Sequence, residues 1–130
     1  MTVSFENIII GQTYTRNELA QIWGYTSYAA IARGVVTPRN SNFIILFVTR
    51  EKQSSATQYR DRIETNKLYW EGPEDHFAEN RIMKSGNNCD EIHLFFRERH
   101  HSDFVYFGEI RLIRYYLHSD KPSEFEFQLL

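Results

Sequence analysis

A single cysteine, Cys89, stands among the 130 residues, so no disulfide can form within the chain. No apolar run approaches membrane-spanning length, and no charged stretch followed by an apolar one stands near Met1. The 15 Lys and Arg residues do not outnumber the 17 Asp and Glu residues, so the cationic excess that supports nonspecific nucleic-acid binding is absent. These absences predict a cytoplasmic protein with no membrane partner, and any nucleic-acid contact would need a locally basic face.

Motifs for metal binding and catalysis are equally scarce. The soft ligands considered are Cys89 and four histidines, His93, His100, His101 and His118. Because His100 and His101 are adjacent, they would point to opposite faces of a strand and could not both bind one ion. The acidic stretch at residues 73–75 is not followed by a Glu-x-Lys on the next strand, and neither a Ser–His–Asp order nor a Gly-rich phosphate loop is present. We therefore expect no metal or other cofactor and no catalysis within this chain.

What the chain does have is aromatic side chains, 15% of its residues, which favour sheet cores. Short apolar runs separated by turn residues predict a small, mostly antiparallel barrel with a single domain over residues 1–130. Gly108 predicts a bulge in the longest run. The predicted strands cover residues 5–10, 43–49, 67–72, 91–97, 104–117 and 125–130.

Helical signals are few. Thr15 and Glu18 have the spacing of a capping box, and Gly24 ends the segment, so a helix of about two turns is expected between them. A further helical turn is predicted around residues 59–63. Residues 25–42 contain no acid and several turn residues, and we interpret them as a strand fragment within a long arm.

The polar stretch "HFAENRIMKSG", residues 76–86, stands between two apolar runs. Reading of bases in the major groove uses Arg or Lys for guanine, Asn or Gln for adenine, and Asp or Glu for cytosine. This stretch supplies each type, and residues 33–42 supply more Arg and Asn side chains. The alternative is a solvated loop in which Glu79, Arg81 and Lys84 form surface ion pairs of little energetic value.

The serial order "NFIILFVTREKQSS", "YRDRI", "LYW", "AENRIMKSG" and "EIHLFFRERHHSDFVYFGEI" resembles the B-three-like DNA-recognition pseudobarrel of EcoRII-type restriction endonucleases. That fold recurs in plant transcription factors and in BfiI-like and NgoAVII-like enzymes, and similar segments look like an uncharacterised domain at the carboxyl end of bacterial restriction-type helicases. The resemblance covers roughly residues 11–115. It implies a mostly β (α+β), antiparallel pseudobarrel of seven to eight strands with one or two short helices.

The resemblance also implies a function, which is sequence-specific binding of double-stranded DNA by two arms, residues 25–42 and 72–86, as the recognition module of a type II restriction system. Asn80 departs from the family pattern, which has lysine there, so a different base preference is implied. The candidate DNA-binding residues are Tyr28, Arg33, Arg39, Asn40, Asn42, His76, Glu79, Asn80, Arg81 and Lys84. The candidate phosphate contacts are Arg16, Lys52, Arg60, Arg62 and Arg97.

Two alternatives stay open. A reader of modified DNA could flip a base into an aromatic pocket, for which the candidates are Tyr25, Tyr28, Trp70 and Phe77. A non-catalytic protein-interaction barrel would bind no nucleic acid, which the near-neutral charge favours. We expect an isolated domain to be monomeric, whether the chain acts alone or is joined to or paired with a nuclease or helicase module.

Overall fold

The computed structural model describes residues 2–51 and 61–130, which form eight strands and a few short helices. The helices are α1 (Arg16–Trp23), a 3-10 helix (Tyr28–Ile31), α2 (Glu79–Met83) and α3 (Ser85–Asn88). The strands are β1 (Thr13–Tyr14), β2 (Val35–Val36), β3 (Phe43–Glu51), β4 (Arg62–Glu64), β5 (Lys67–Glu71), β6 (Glu91–Arg99), β7 (Phe104–Tyr116) and β8 (Glu124–Leu129).

The strands form one open sheet in the order β2-β3-β6-β7-β8-β5-β4, with β1 paired to β7. This mostly β, pseudobarrel-like α+β architecture confirms the predicted fold class. One pair departs from the antiparallel expectation, because β3 and β6 run parallel in the register Phe43↔Glu91. The chain returns to the start of β3 before β6 begins, where the Glu91 amide donates to the Asn42 carbonyl at 2.7 Å.

The two faces of the sheet each bury a separate apolar cluster. In β3, Ile45 and Phe47 pack on one face together with α1 and the segment that precedes it. Alternate residues of the same strand, such as Leu46 and Val48, pack on the other face among side chains of β5, β6 and β8. We call these the outer cluster and the inner cluster. Both edge strands contribute to the inner cluster, β2 through Val35 and β4 through the partly buried Ile63.

The prediction of a strand at residues 5–10 is wrong. These residues turn instead, with the Ile8 amide donating to the Phe5 carbonyl at 3.2 Å, and the first strand is β1. Val3 and Ile8 are buried in the outer cluster, and the Phe5 ring stacks on the His93 ring at 3.7 Å. The apolar side chains therefore cover the sheet without pairing with its strands.

The predicted first helix is confirmed in detail. Glu18 N donates to Thr15 Oγ1 at 3.0 Å, and Thr15 N donates to Glu18 Oε1 at 2.9 Å, which completes the capping box. Gly24 follows α1 in the left-handed conformation, φ 80°, which costs glycine no Cβ clash. Leu19, which is fully buried, fixes this helix against the outer cluster.

The predicted bulge in the long seventh strand is also confirmed. The pairing of β6 with β7 shifts register between Leu94 and Phe95, opposite Gly108 and Tyr106. Gly108 has φ +89°, and a Cβ there would lie 2.9 Å from Ile10 Cδ1. Glycine is therefore favoured by the backbone conformation, and a larger residue would also require the Ile10 side chain to move.

Two other expectations change. The stretch at residues 76–86 is not an open loop, because α2 and α3 occupy most of it and Ile82 is fully buried in the inner cluster. The helical turn expected around residues 59–63 is a strand from Arg62 onward, and residues 59 and 60 lie outside the described residues. None of the helices described is long and apolar enough to cross a membrane.

Candidate functional site

The two predicted arms lie side by side and are joined through Arg33. Its Nη2 atom lies 2.7 Å from Asp75 Oδ2, and its guanidinium lies 4.3 Å from the centre of the Phe77 ring. Because Arg33 belongs to the first arm and both partners belong to the second, these contacts fix the arms relative to each other. The hydrogen bond from Arg33 holds the pKa of Asp75 below its ordinary value.

A cavity of about 500 Å³ opens where the sheet does not close, between the start of β2 and the start of β4. We call it the edge cleft. Its volume lies within the range of about 300–1,000 Å³ that small-molecule pockets occupy. The lining residues are Arg33, Gly34, Val35, Asp61, Trp70, Glu71, Pro73, Glu74 and Asp75.

The walls of the edge cleft combine an apolar floor with a carboxylate-rich rim. Val35 and Trp70 belong to the inner cluster and are 2% and 6% exposed, so their apolar faces are rigidly packed. Asp61 is also buried, and its Oδ1 atom accepts a hydrogen bond from the Glu71 amide at 2.9 Å. Glu74 and Asp75 are exposed at the entrance. With Glu71, the described residues of the lining supply four carboxylates and one guanidinium, so this part of the cleft favours a ligand edge that donates hydrogen bonds.

A second concavity, of about 440 Å³, lies on the other side of Arg33, and we call it the arm groove. Tyr25, Arg39 and Phe77 line it together with residues of β2. The four aromatic residues predicted to stack on a flipped base are thus divided. Trp70 faces the edge cleft, Tyr25 and Phe77 face the arm groove, and Tyr28 lines a third cavity that contains Arg16 and Arg97.

In the second arm, three candidate DNA-binding residues are held by contacts within the protein. Arg81 donates from Nε and Nη2 to both carboxylate oxygens of Asp90 at 3.2 Å, and from Nη2 to the Ser41 carbonyl at 3.1 Å. The Glu79 carboxylate pairs with the His76 imidazole. Reading of bases by these side chains stays a prediction, and Arg81 would have to leave Asp90 in order to do so.

The remaining candidates in the arms are exposed. Asn80 and Lys84 are exposed on α2 and just after it, and Arg39 and Asn40 are exposed in the turn that precedes β3. Asn42 is exposed as well, although its Nδ2 atom donates to the Cys89 carbonyl at 3.0 Å. These side chains project from the same two segments that Arg33 and Arg81 join.

The predicted phosphate contacts fall into three groups. Arg16 and Arg97 come together on the Phe104 ring, with their guanidinium carbons 5.0 and 4.3 Å from its centre. Arg62 lies elsewhere, on β4, where it pairs with Glu64 at 3.1 Å. Lys52 and Arg60 lie outside the described residues.

The carboxylates of the edge cleft are the part of the site that the sequence did not reveal. Glu74 and Asp75 stand in the acidic stretch at residues 73–75, but Asp61 and Glu71 belong to no motif. Only their placement around Trp70 at the open side of the sheet groups them. Within residues 2–51 and 61–130, no cluster of three His, Cys, Asp or Glu side chains could hold a metal ion.

The fold is similar to that of several solved structures of SUVH5 SRA domains with DNA. A complex with hemimethylated CG DNA matches with a TM-score of 0.65 at 13% identity, over 100% of this chain and 94% of that chain. A complex with fully hydroxymethylated CG DNA matches with a TM-score of 0.63 at 11% identity, and one with methylated CHH DNA with a TM-score of 0.60 at 10%, both over the same shares. At these identities the likeness shows a shared fold. The specific resemblance to EcoRII-type domains stays a prediction.

A search of curated proteins found no match to the sequence. The model of a family described as a domain of unknown function, DUF3427, matches residues 8–128. Since the match spans nearly the whole chain, the protein belongs to that family.

Proposed function

We propose that this protein binds double-stranded DNA and reads a modified base that is flipped out of the duplex into the edge cleft. The observation that carries the proposal is the cleft itself, where the buried Trp70 and Asp61 meet at the open side of the sheet. A flipped base is held by stacking on apolar walls and by hydrogen bonds to its pairing edge, and this cleft offers both. The SRA structures that share the fold are complexes with methylated or hydroxymethylated DNA, which supports the same choice.

The charge of the edge cleft favours a base over a phosphate as its ligand. A phosphate oxyanion would be repelled by the carboxylates of Asp61, Glu71 and Glu74. The exocyclic amino group of cytosine is instead a donor that Asp or Glu accepts. Thymine presents a carbonyl oxygen at that position, which a carboxylate cannot bind, so we expect a cytosine-type base to be preferred.

The apolar floor supplies a means of detecting a methyl group. Burial of one additional methyl group contributes about 0.8 kcal/mol, or about four-fold in affinity. Val35, Trp70 and Pro73 are the apolar lining side chains that such a group would contact. Extrusion of the base itself costs a few kcal/mol, which the contacts of the cleft and of the DNA backbone must offset.

The test is a selection from randomised duplex pools that differ only in containing cytosine, 5-methylcytosine or 5-hydroxymethylcytosine. We expect at least one modified pool to be bound about four-fold or more tightly than the plain pool. Equal binding to all three pools would remove the modified-base proposal. If no pool binds even at low salt, DNA binding itself is wrong and the protein-interaction alternative stands.

A matched pair of variants connects the preference to the cleft. Val35 lines the edge cleft and packs in the inner cluster, whereas its neighbour Val36 packs in the outer cluster. We expect Val35→Ala to reduce the ratio of modified to plain affinity and Val36→Ala to leave that ratio unchanged. The ratio is the quantity to compare, because any general loss of stability affects both duplexes equally.

A second candidate function is readout of an unmodified sequence by the two arms in the major groove, as in the recognition module of a restriction enzyme. The exposure of Asn80, Lys84, Arg39 and Asn40 on adjoining segments favours it. Selection of one strict sequence from the plain pool, and its loss in Asn80→Ala, would support this function. Any nuclease or helicase activity would then come from another domain or a partner.

A further inference from the structure

A cavity of about 290 Å³ on the outer side of the fold contains two arginines, and we call it the arginine pocket. Arg16 comes from the first turn of α1, and Arg97 comes from β6. The Arg16 guanidinium lies over Phe47 as well as Phe104, at 4.7 Å from the Phe47 ring centre. Ser102 and Asp103 also line the pocket.

The two guanidiniums are held by neutral oxygens and not by carboxylates. Arg97 donates to Thr49 Oγ1 at 2.8 Å and to the Ser102 carbonyl at 3.2 Å. Arg16 donates to the carbonyls of Ile31 at 3.0 Å and Arg33 at 3.4 Å. Within the described part of the chain neither forms an ion pair, although Asp103 also lines the pocket. The hydrogen bonds that hold the two guanidiniums therefore do not neutralise their positive charges.

The positive charges of the pocket contribute to the lowered pKa values of neighbouring groups. Burial, and then the charge of Arg97, lower the pKa of Arg16 to about 10. The pKa of His100 is also lowered, by desolvation first and then by the positive charges of His101, Arg97 and Arg16. By contrast Arg99, two residues beyond Arg97 on the same strand, pairs with Glu51 at 3.6 Å. The positive field is thus a property of the arginine pocket and not of the whole strand.

We infer that the arginine pocket binds a phosphate group, with the Arg16 and Arg97 guanidiniums as its paired donors. A guanidinium is a planar fork that matches phosphate oxygens, and stacking on Phe104 holds both forks in place before the ligand arrives. The bound anion would neutralise the repulsion between the two cations. Two sources share this chemistry, a phosphodiester of the DNA backbone and a free phosphate anion.

The position of the pocket favours the DNA backbone, a choice that rests on the proposed function. The Arg16 guanidinium contacts the carbonyls of Ile31 and Arg33, while the Arg33 side chain lines the edge cleft. A single short segment therefore separates the two cavities. A phosphate held at the arginine pocket would anchor the strand whose base enters the edge cleft, since phosphate contacts set position and base contacts specify.

The first experiment compares Arg97→Gln with Arg99→Gln, which removes the same charge from the same strand. Affinity for a plain duplex is measured as a function of salt concentration. Loss of one phosphate contact should reduce the slope of log affinity against log salt by about 0.9 and weaken binding about eight-fold near 0.1 M salt. Arg99→Gln should retain the parent's slope. Arg97→Lys, which keeps a charge in the pocket, should recover part of the affinity and guards against a folding defect.

The second experiment uses inorganic phosphate alone. Phosphate bound in the pocket should raise the pKa of the nearby His100 imidazole. We expect NMR to show this increase in the parent and not in Arg97→Gln. A response to inorganic phosphate without a change in the duplex salt slope supports the site with a free phosphate as its ligand. The proposal is overturned if Arg97→Gln changes neither the salt slope nor the shift in the His100 pKa that phosphate induces. Duplex binding with a normal Arg97 effect but no preference for modified cytosine would overturn only the proposed function.

Discussion

Arg33 joins the two arms and lines both of the cavities that lie between them. Its guanidinium pairs with Asp75, lies over Phe77 and separates the edge cleft from the arm groove, while its carbonyl accepts from Arg16. Because the Arg33 and Asp75 side chains are 52% and 61% exposed, their ion pair adds little stability in water. Its value lies in fixing the geometry of the two arms.

His93 is a buried histidine for which the structure gives a pH dependence. Its ring stacks on Phe5, and its two nitrogens lie 2.7 Å from Tyr106 Oη and 3.0 Å from Glu91 Oε1. Burial lowers its pKa below the ordinary 6.5, although the hydrogen bond and charge of Glu91 act in the opposite direction. As pH falls below 6.5, the unfolded chain takes up a proton that the folded protein does not, so stability decreases until the folded-state pKa is passed.

We therefore expect the free energy of unfolding to be lower at pH 5.5 than at pH 7, by at most about 1.4 kcal/mol per pH unit from this group. His93→Gln, which retains hydrogen-bonding capacity, should show a smaller decrease in urea unfolding experiments. His118→Gln, a histidine change at a half-buried position outside both clusters, should not reduce it. If the free energy of unfolding of His93→Gln falls between pH 7 and pH 5.5 by as much as that of the parent, then other groups control the stability in this pH range.

At the scale of single residues, the sequence predicts which types of side chain could contact DNA, but not which side chains they contact within the protein. The composition of the two arms and the serial order of the segments predict that Arg33 and Arg81 face DNA. Their carboxylate partners, Asp75 and Asp90, depend on how the arms fold back on the sheet. The resemblance implies Arg16 and Arg97 as phosphate contacts only among several, and the fold alone brings these two together on Phe104.

Among the elements, α2 and α3 differ most from the expectation of a loop. Ile82 is fully buried beneath α2, and Arg81 ties the same helix to Asp90 and to the backbone at Ser41 and Phe43. The Asp90 side chain is 8% exposed, so removal of this partner would leave a largely buried carboxylate unpaired. The stretch is polar because it anchors the second arm as well as facing solvent.

Arg81→Ala should therefore lower the free energy of unfolding by about 1–3 kcal/mol, because it leaves the largely buried Asp90 carboxylate without its cation. Asn80→Ala, an exposed change on the same helix, should stay within about 0.5 kcal/mol of the parent. The measurement is the denaturant concentration at the midpoint of unfolding, compared between proteins whose free energies of unfolding depend on denaturant with equal slopes. A midpoint for Arg81→Ala equal to that of the parent would mean that the contacts to Asp90 and Ser41 are not maintained in solution.

Strands could be predicted where an apolar run or an alternating pattern marks them, as β3 and β8 respectively illustrate. The error at residues 5–10 has a physical reason, because a β-branched run also suits packing against a finished sheet. Strand propensity reflects fit to a half-buried surface, which these residues find without pairing. The capping box of α1 is local chemistry within four residues, so its prediction needed no tertiary information.

For the whole molecule, the sequence indicates a barrel-like sheet but not where that sheet stays open. The edge cleft joins Arg33, Asp61 and Trp70, which are far apart in the chain and meet only because β2 and β4 are the two edges. The parallel pairing of β3 with β6 has the same origin, since it depends on the path of the connecting chain. Likewise a formal charge of −2 conceals two regions of opposite character, the acidic edge cleft and the arginine pocket.

The central claim, that a modified base enters the edge cleft, can be tested with the two tryptophans. Trp70 lines the edge cleft, whereas Trp23 is buried in the outer cluster with its Nε1 atom donating to the Ser4 carbonyl at 2.9 Å. The measurement is the NMR signal of each indole N–H during titration with duplexes that contain 5-methylcytosine, 5-hydroxymethylcytosine or cytosine. We expect the Trp70 signal to shift more with a modified duplex than with the plain one. The chemical shift of the Trp23 signal should not change with any of the duplexes. Binding of the modified duplex that leaves the Trp70 signal unmoved would contradict the claim.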